Sequence, residues 1–203
     1  FFCLLLPATL MVVSTAHSTT SDPAVLIEET VSSLFEEFTQ TRAELENDKA
    51  KLFDLVERVV GPVFDFDYIS KLVLAKSWKS ASDNQKKEFA EEFRRLMIVT
   101  YATALFRYTG NESMQFGKSS IREKKGKRIA TVNTAVRIND GEPIPVVYSM
   151  IENDAGQWKI FNLSVGDLNM VLNYRSVIQA SIHSGGLDGT IASMKENNDR
   201  NSN

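Results

Sequence analysis

The chain predicts an α+β fold: a twisted four-stranded antiparallel sheet wrapped by about six helices, most of them ahead of the sheet. Three observations carry this. Apolar residues recur at helical spacing up to about residue 108, alternate with polar ones from 114 to 165, and return to helical spacing after 168. The alternating runs are joined by turns such as Asp140-Gly141 and Asp154-Ala155-Gly156, too short for a crossover, so neighbouring strands pair antiparallel. No repeat or composition break divides the chain, so residues 17–197 are expected to form one domain.

The helices have physical starts and stops. Asp22-Pro23 offers a capping carboxylate and a proline at the first helical position. Leu26, Ile27, Val31, Leu34, Phe35 and Phe38 follow on one face, with Glu28, Glu29, Glu36 and Glu37 on the other. A second helix runs from about Asp48 to Val60 and ends at Gly61-Pro62. A third starts near Asp65 or Asp67 and buries Tyr68, Ile69, Leu72 and Val73. Ser82 and Gln85 have capping-box spacing and open a long fourth helix to about Tyr108. Its second half, Leu96 to Phe106, carries no charge and is apolar nearly all round, so it must be covered on most sides. After the sheet, Asp167 is positioned to cap a helix starting at Leu168 that stops at Gly185-Gly186. A second closing helix follows, and residues 198–203 read as a disordered polar tail.

The four strands are roughly 114–121, 128–139, 143–152 and 157–165. Alternation places Ala130, Val132, Thr134 and Val136 on one face with Val146, Tyr148, Met150, Phe161, Leu163 and Val165. That nearly uncharged face with several small side chains is either packed core or the wall of an apolar pocket.

Composition narrows the chemistry. Residues 1–16 are uncharged and mostly apolar, too short for a comfortable membrane span, and Ser14 and Ala16 fit a signal-peptidase cut, so 1–16 read as a secretory signal peptide. Cleavage removes Cys3, the single cysteine, and with it any disulfide or thiol chemistry. The two histidines are His17 and His183, too few for a zinc site built on His and Cys, and His183 sits just before a helix stop. No phosphate-binding glycine loop is present, and no acidic residue points inward from strands two to four, where a cavity enzyme would need one. Net charge is −3, which argues against a general nucleic-acid binder. No metal, cofactor or catalytic residue is assigned. The segment 118–128 stands apart: Lys118, Arg122, Lys124, Lys125, Lys127 and Arg128 against Glu123. It is either a solvated turn or a docking patch for anionic headgroups or acidic proteins.

The run Gln157 to Arg175, with Trp158-Lys159-Ile160-Phe161 leading through a short loop to Asn173-Tyr174-Arg175, resembles the MlaC, or toluene-tolerance, family of periplasmic phospholipid carriers. Asp65-Phe66, Trp78, Phe89, Phe93, Thr100-Tyr101-Ala102 and Gly186-Leu187-Asp188 extend the match across most of the chain. Two departures stand out: Asn162 occupies a usually acidic position, and Gly166-Asp167 reverses the usual acid–glycine order.

The resemblance implies a non-enzymatic carrier that holds phospholipid acyl chains in an apolar lipid cavity between sheet and helices. It implies transport between an inner-membrane ABC transporter complex and an outer-membrane lipoprotein–porin complex, maintaining outer-membrane lipid asymmetry in a Gram-negative cell. A hopanoid or other apolar ligand, or a cavity enzyme of the isomerase kind, are the alternatives. The expected lipid-lining residues are Tyr101, Leu105, Val132, Val136, Val146, Tyr148, Met150, Phe161, Val165, Val171 and Tyr174. Lys124, Lys125, Lys127 and Arg128 are the expected docking residues. Energetics accord with such a cargo. A diacyl lipid has on the order of 30 methylenes, and exposing them to water costs about 24 kcal/mol, so the tails must travel covered.

Overall fold

The computed structural model describes residues 22–202, so the expected signal peptide lies outside the described residues. Helix α1 (Pro23–Asn47) begins as its sequence dictates: the Asp22 carboxylate accepts from the Ala24 N–H at 2.8 Å, and Pro23 occupies the first helical position. Asp48 is extended and separates α1 from α2 (Lys49–Val60), whose first turn it caps through Ala50 and Lys51. A 3-10 turn at Gly61–Val63 leads to α3 (Phe66–Leu74), where Asp65 accepts from the Tyr68 N–H at 2.8 Å. Both halves of the Ser82–Gln85 capping box are formed at the start of α4 (Asp83–Tyr101). The fourth helix does not run on to Tyr108 in α form. Ala102–Arg107 tightens into 3-10 helix, and Arg42 donates to the Phe106 and Tyr108 carbonyls that this ending leaves free.

The sheet is antiparallel with five strands, not four, in the order β1-β2-β3-β4-β5: β1 (Ser113–Lys124), β2 (Lys127–Arg137), β3 (Ile144–Glu152), β4 (Trp158–Val165) and β5 (Leu168–Asn169). The extra strand arises because Gly166-Asp167 forms a tight turn, with Gly166 at φ +56, that pairs Val165 with Leu168. Asp167 is therefore a turn residue and not a helix cap. The cap is Asn169, whose Oδ1 accepts from the Leu172 N–H at 3.0 Å, and α5 starts at Met170.

The closing segment α5 (Met170–Ser202) breaks at Gly186 (φ 71, ψ 176) into two helical runs, so the stop expected at Gly185-Gly186 and the helix after it are both present. The polar tail is also corrected. Asn198 is fully buried and donates from Nδ2 to the Glu92 carbonyl at 3.0 Å and to Glu92 Oε2 at 2.8 Å, and Arg95 pairs with Asp199. Polar residues that look solvated in sequence thus lock the end of α5 onto α4.

Three apolar clusters form the interior. Ile27 of α1 packs with Ala130, Val132, Met150, Trp158 and Ile160 on the sheet. Ile69, Val73, Leu74, Phe89, Phe93, Val171 and Ile178 join α3, α4 and α5. Phe38, Leu45, Leu52, Leu55 and Ala102 join α1 and α2 to the 3-10 segment.

Candidate functional site

An irregularity in β4 decides which residues face where. Met150 pairs with Ile160 and Ser149 with Asn162, leaving Phe161 as the extra residue of a β-bulge. Before the bulge, Trp158 and Ile160 join Met150 in the core packed under α1. Phe161 instead meets the Tyr68 ring edge-on, centroids 5.5 Å apart, and packs with the helical cluster. Past the bulge, Leu163 stands opposite Tyr148 and Val165 opposite Val146. The Asn162 side chain turns to the helix, its Oδ1 accepting from the Val171 N–H at 3.2 Å. A side-chain amide therefore ties β4 to the first turn of α5.

Between these elements lies an apolar pocket of about 520 Å³. Its walls are Val56, Val60 and Gly61 from α2 and the turn after it; Phe64, Phe66 and Ile69 from α3 and its approach; and Phe93, Met97, Ile98 and Tyr101 from α4. Ala102 and Leu105 of the 3-10 segment, residues 161–163 and Val165 of β4, and Leu168, Met170, Val171 and Tyr174 complete it, with Leu34 of α1. None of these side chains is charged, and the hydrogen-bonding ones are Tyr101, Asn162 and Tyr174. Phe93 and Ile69 are buried, whereas Tyr101, Val165 and Leu168 are 43, 39 and 47 % exposed and mark the mouth. The Tyr101 and Tyr174 hydroxyls are 3.2 Å apart, and the Tyr174 ring meets Phe93 edge-on at 5.2 Å. Burial first, and the hydrogen bond with Tyr101 second, push the Tyr174 phenol up, so it stays protonated at neutral pH.

The pocket brings together Tyr101, Leu105, Phe161, Val165, Val171 and Tyr174 of the residues expected to line one. Val132, Val136, Val146, Tyr148 and Met150 are not among its lining residues. Val132 and Met150 are fully buried in the packed cluster under α1, with Tyr148 packed against it, and the Thr134 hydroxyl closes onto the Val146 carbonyl at 3.1 Å. That face is solid because α1 supplies Ile27, Ala24, Leu26 and Val31 to cover it. Sequence reasoning missed the α2 and α3 walls. Their apolar faces were legible, but which of them would stay uncovered depends on how α2 and α3 dock.

The basic segment is the β1–β2 hairpin, turning through Lys125 (φ 52) and Gly126 (φ 71). Lys124, Lys125 and Lys127 are exposed. Arg128 is engaged within the fold: it pairs with Glu152 at 2.7 Å and lies 5.3 Å from the Trp158 ring centroid. The hairpin is also far from the pocket mouth. Thr134 pairs with Val146 and Val146 with Val165, and from Lys127 to Thr134 the strand extends about 23 Å. Arg175 donates from Nε to the Leu72 carbonyl at 2.8 Å near the C-terminus of α3.

The chain is similar to several known proteins. It is 28% identical over 172 residues, 83% of this chain and 78% of the relative, to toluene tolerance protein ttg2D of Pseudomonas putida. It is 24% identical over 188 residues, 92% of this chain and 86% of the relative, to the intermembrane phospholipid transport system binding protein MlaC of Haemophilus influenzae. The fold matches that of a phospholipid-binding protein from Ralstonia solanacearum, solved in complex with a phospholipid, at a TM-score of 0.77 and 22% identity, covering 90% of this chain and all of that one. The family model for MlaC protein runs from residue 28 to residue 196, most of the sequence, and the chain accordingly belongs to the MlaC family.

Proposed function

We propose that this protein is a periplasmic phospholipid carrier that holds acyl chains in the pocket between α2, α4, β4 and the start of α5. The uncharged lining of that pocket carries the reading. Its side chains offer hydrocarbon contact and no ion pair, nucleophile or metal ligand, which suits solvation of tails and assigns no catalytic step. The names of the relatives and the phospholipid bound to the Ralstonia neighbour support the same reading. In the proposal Tyr101, Leu105, Phe161, Val165, Val171 and Tyr174 contact the tails. The carrier exchanges lipid with an inner-membrane ABC transporter complex and an outer-membrane lipoprotein–porin complex, which maintains outer-membrane asymmetry. The exposed Lys124, Lys125 and Lys127 meet acidic partner surfaces, and Arg128 serves the fold.

Volume makes the proposal specific. A cavity of about 150 Å³ holds benzene, or about 25 Å³ per carbon. On that scale the 520 Å³ pocket takes roughly 20 carbons, enough for one long chain. A diacyl lipid therefore requires the pocket to widen or a second tail to lie along the mouth, where Val165 and Leu168 offer apolar cover. Solvent extraction and mass analysis of the purified protein should give phospholipid in near-stoichiometric amount, and stripped protein should take lipid up from vesicles. Preparations that hold none and acquire none overturn the proposal.

A further inference from the structure

The pocket is hydrocarbon throughout except near its mouth, and the chemistry there is specific. Resting on the carrier reading above, we infer that the Tyr101–Tyr174 hydroxyl pair binds an ester carbonyl of the lipid, at the point where the tails join the glycerol. Two phenols carry two O–H donors. One is used between them, across 3.2 Å. The nearest other partner is Met170 Sδ, 3.9 Å from the Tyr101 oxygen, a weak acceptor. The pair thus keeps one strong donor without a strong acceptor.

Depth places that donor. A lipid that enters tails first fills the buried end at Ile69 and Phe93, and the first polar atoms behind the tails are ester carbonyl oxygens, which accept and cannot donate. Tyr101, 43 % exposed, and the half-buried Tyr174 stand at that level. Charge selects ester over phosphate: no Lys or Arg lines the pocket to offset the single negative charge of a phosphodiester drawn to that depth, whereas an ester carbonyl brings no charge to bury. The other polar side chain on the lining, Asn162, commits its Oδ1 to the Val171 N–H and is held against the first turn of α5, so its Nδ2 is the one competing side-chain donor among the described lining residues, and a preference that outlasts both tyrosines would belong to it. Burial pushes the Tyr174 phenol above its ordinary value, so it is protonated at neutral pH and can donate within the pair. The ligand class is an acyl ester lipid, as opposed to an alkyl ether lipid or a polycyclic lipid without carbonyls.

The test compares two phosphatidylglycerols of equal chain length, one with ester-linked and one with ether-linked chains. Protein stripped of lipid is offered mixed vesicles of both, and the bound lipid is extracted and weighed by mass. Wild-type protein should favour the ester by about five-fold, the value of one neutral hydrogen bond in a buried setting. The Tyr101→Phe/Tyr174→Phe double variant should take up both equally. Each single Phe variant should keep the preference, since either hydroxyl alone can donate. Equal uptake by wild type overturns the inference while leaving the carrier reading intact, and that result is decisive even if the double variant does not fold. A preference that survives the double substitution also overturns it. Wild-type protein that takes up neither lipid overturns the carrier reading itself.

Discussion

The protein has two apolar regions along the same sheet, and they end differently. Under α1, the middle of the sheet is closed: Val132, Met150 and Ile160 have no more than 2 % exposure, and Trp158 fills the end of the cluster. Beyond the β4 bulge, the same strand borders open space, with helices on the other side that touch one another but leave about 520 Å³ between them. Apolar composition is common to both. What separates them is whether a second element delivers side chains of the right size. Helix α1 does so with Ile27, Leu26 and Val31. On the pocket side the lining includes Gly61 and Ala102 among its larger residues, and the space between α2, α4 and β4 stays unfilled.

Substitutions can break or sharpen this contrast. The largest effect is expected in the closed region. Trp158→Ala should cost about 4 kcal/mol in urea unfolding, because a cavity opens in a packed cluster with no ligand to fill it. The docked end of α5 comes next. Asn198→Leu should cost about 2 kcal/mol, since the Glu92 carbonyl and carboxylate lose their donor, and the loss should be independent of added lipid. In the open region the outcome should invert. Leu163→Trp should change stability by less than the 1–3 kcal/mol typical of an overpacked core, yet lower retained lipid several-fold, read by extraction and mass analysis. If Leu163→Trp instead unfolds the protein, the pocket is as tightly filled as the closed face. The smallest effect belongs to the hairpin. Lys124→Glu with Lys127→Glu should leave stability within about 0.5 kcal/mol and lipid load unchanged, while slowing transfer to acidic partners. High salt should slow the wild type similarly, since the field of exposed charges fades over about 8 Å at physiological ionic strength.

Local chemistry made much of the fold legible. Asp22-Pro23 and the Ser82–Gln85 box state where helices begin, because they satisfy N–H groups within a few residues of themselves. The strand alternation through Val132 and Met150 holds for the same reason. The failures all need a distant partner. One extra residue at Phe161 brings Trp158 and Ile160 onto the face of Met150, while Leu163 and Val165 keep the face that alternation gives them, and nothing in strict alternation announces the switch. Asn198 reads as solvated until Glu92 of α4 is beside it. Asp167 looked like the cap, but two residues of pairing after Gly166 move the helix start to Met170 and hand the capping to Asn169. The apolar run Leu96–Phe106 did signal unusual surroundings, and Met97, Ile98, Tyr101, Ala102 and Leu105 do line the pocket. Whether that run would be met by protein or left facing space was set by α2 and α3.

On the carrier proposal, an interior only partly filled by its own side chains would tie the protein's survival to what it binds. Any molecule that binds the native state and not the unfolded chain adds stability, about 2.7 kcal/mol at a hundred times its dissociation constant. Contacts across the pocket join α2, α4, β4 and α5, elements far apart in sequence, so what occupies it also holds those elements together. An emptied molecule would spend more time locally open and be cut sooner by proteases than a filled one. The standing population of the protein would then follow the supply of its ligand, without any dedicated sensor.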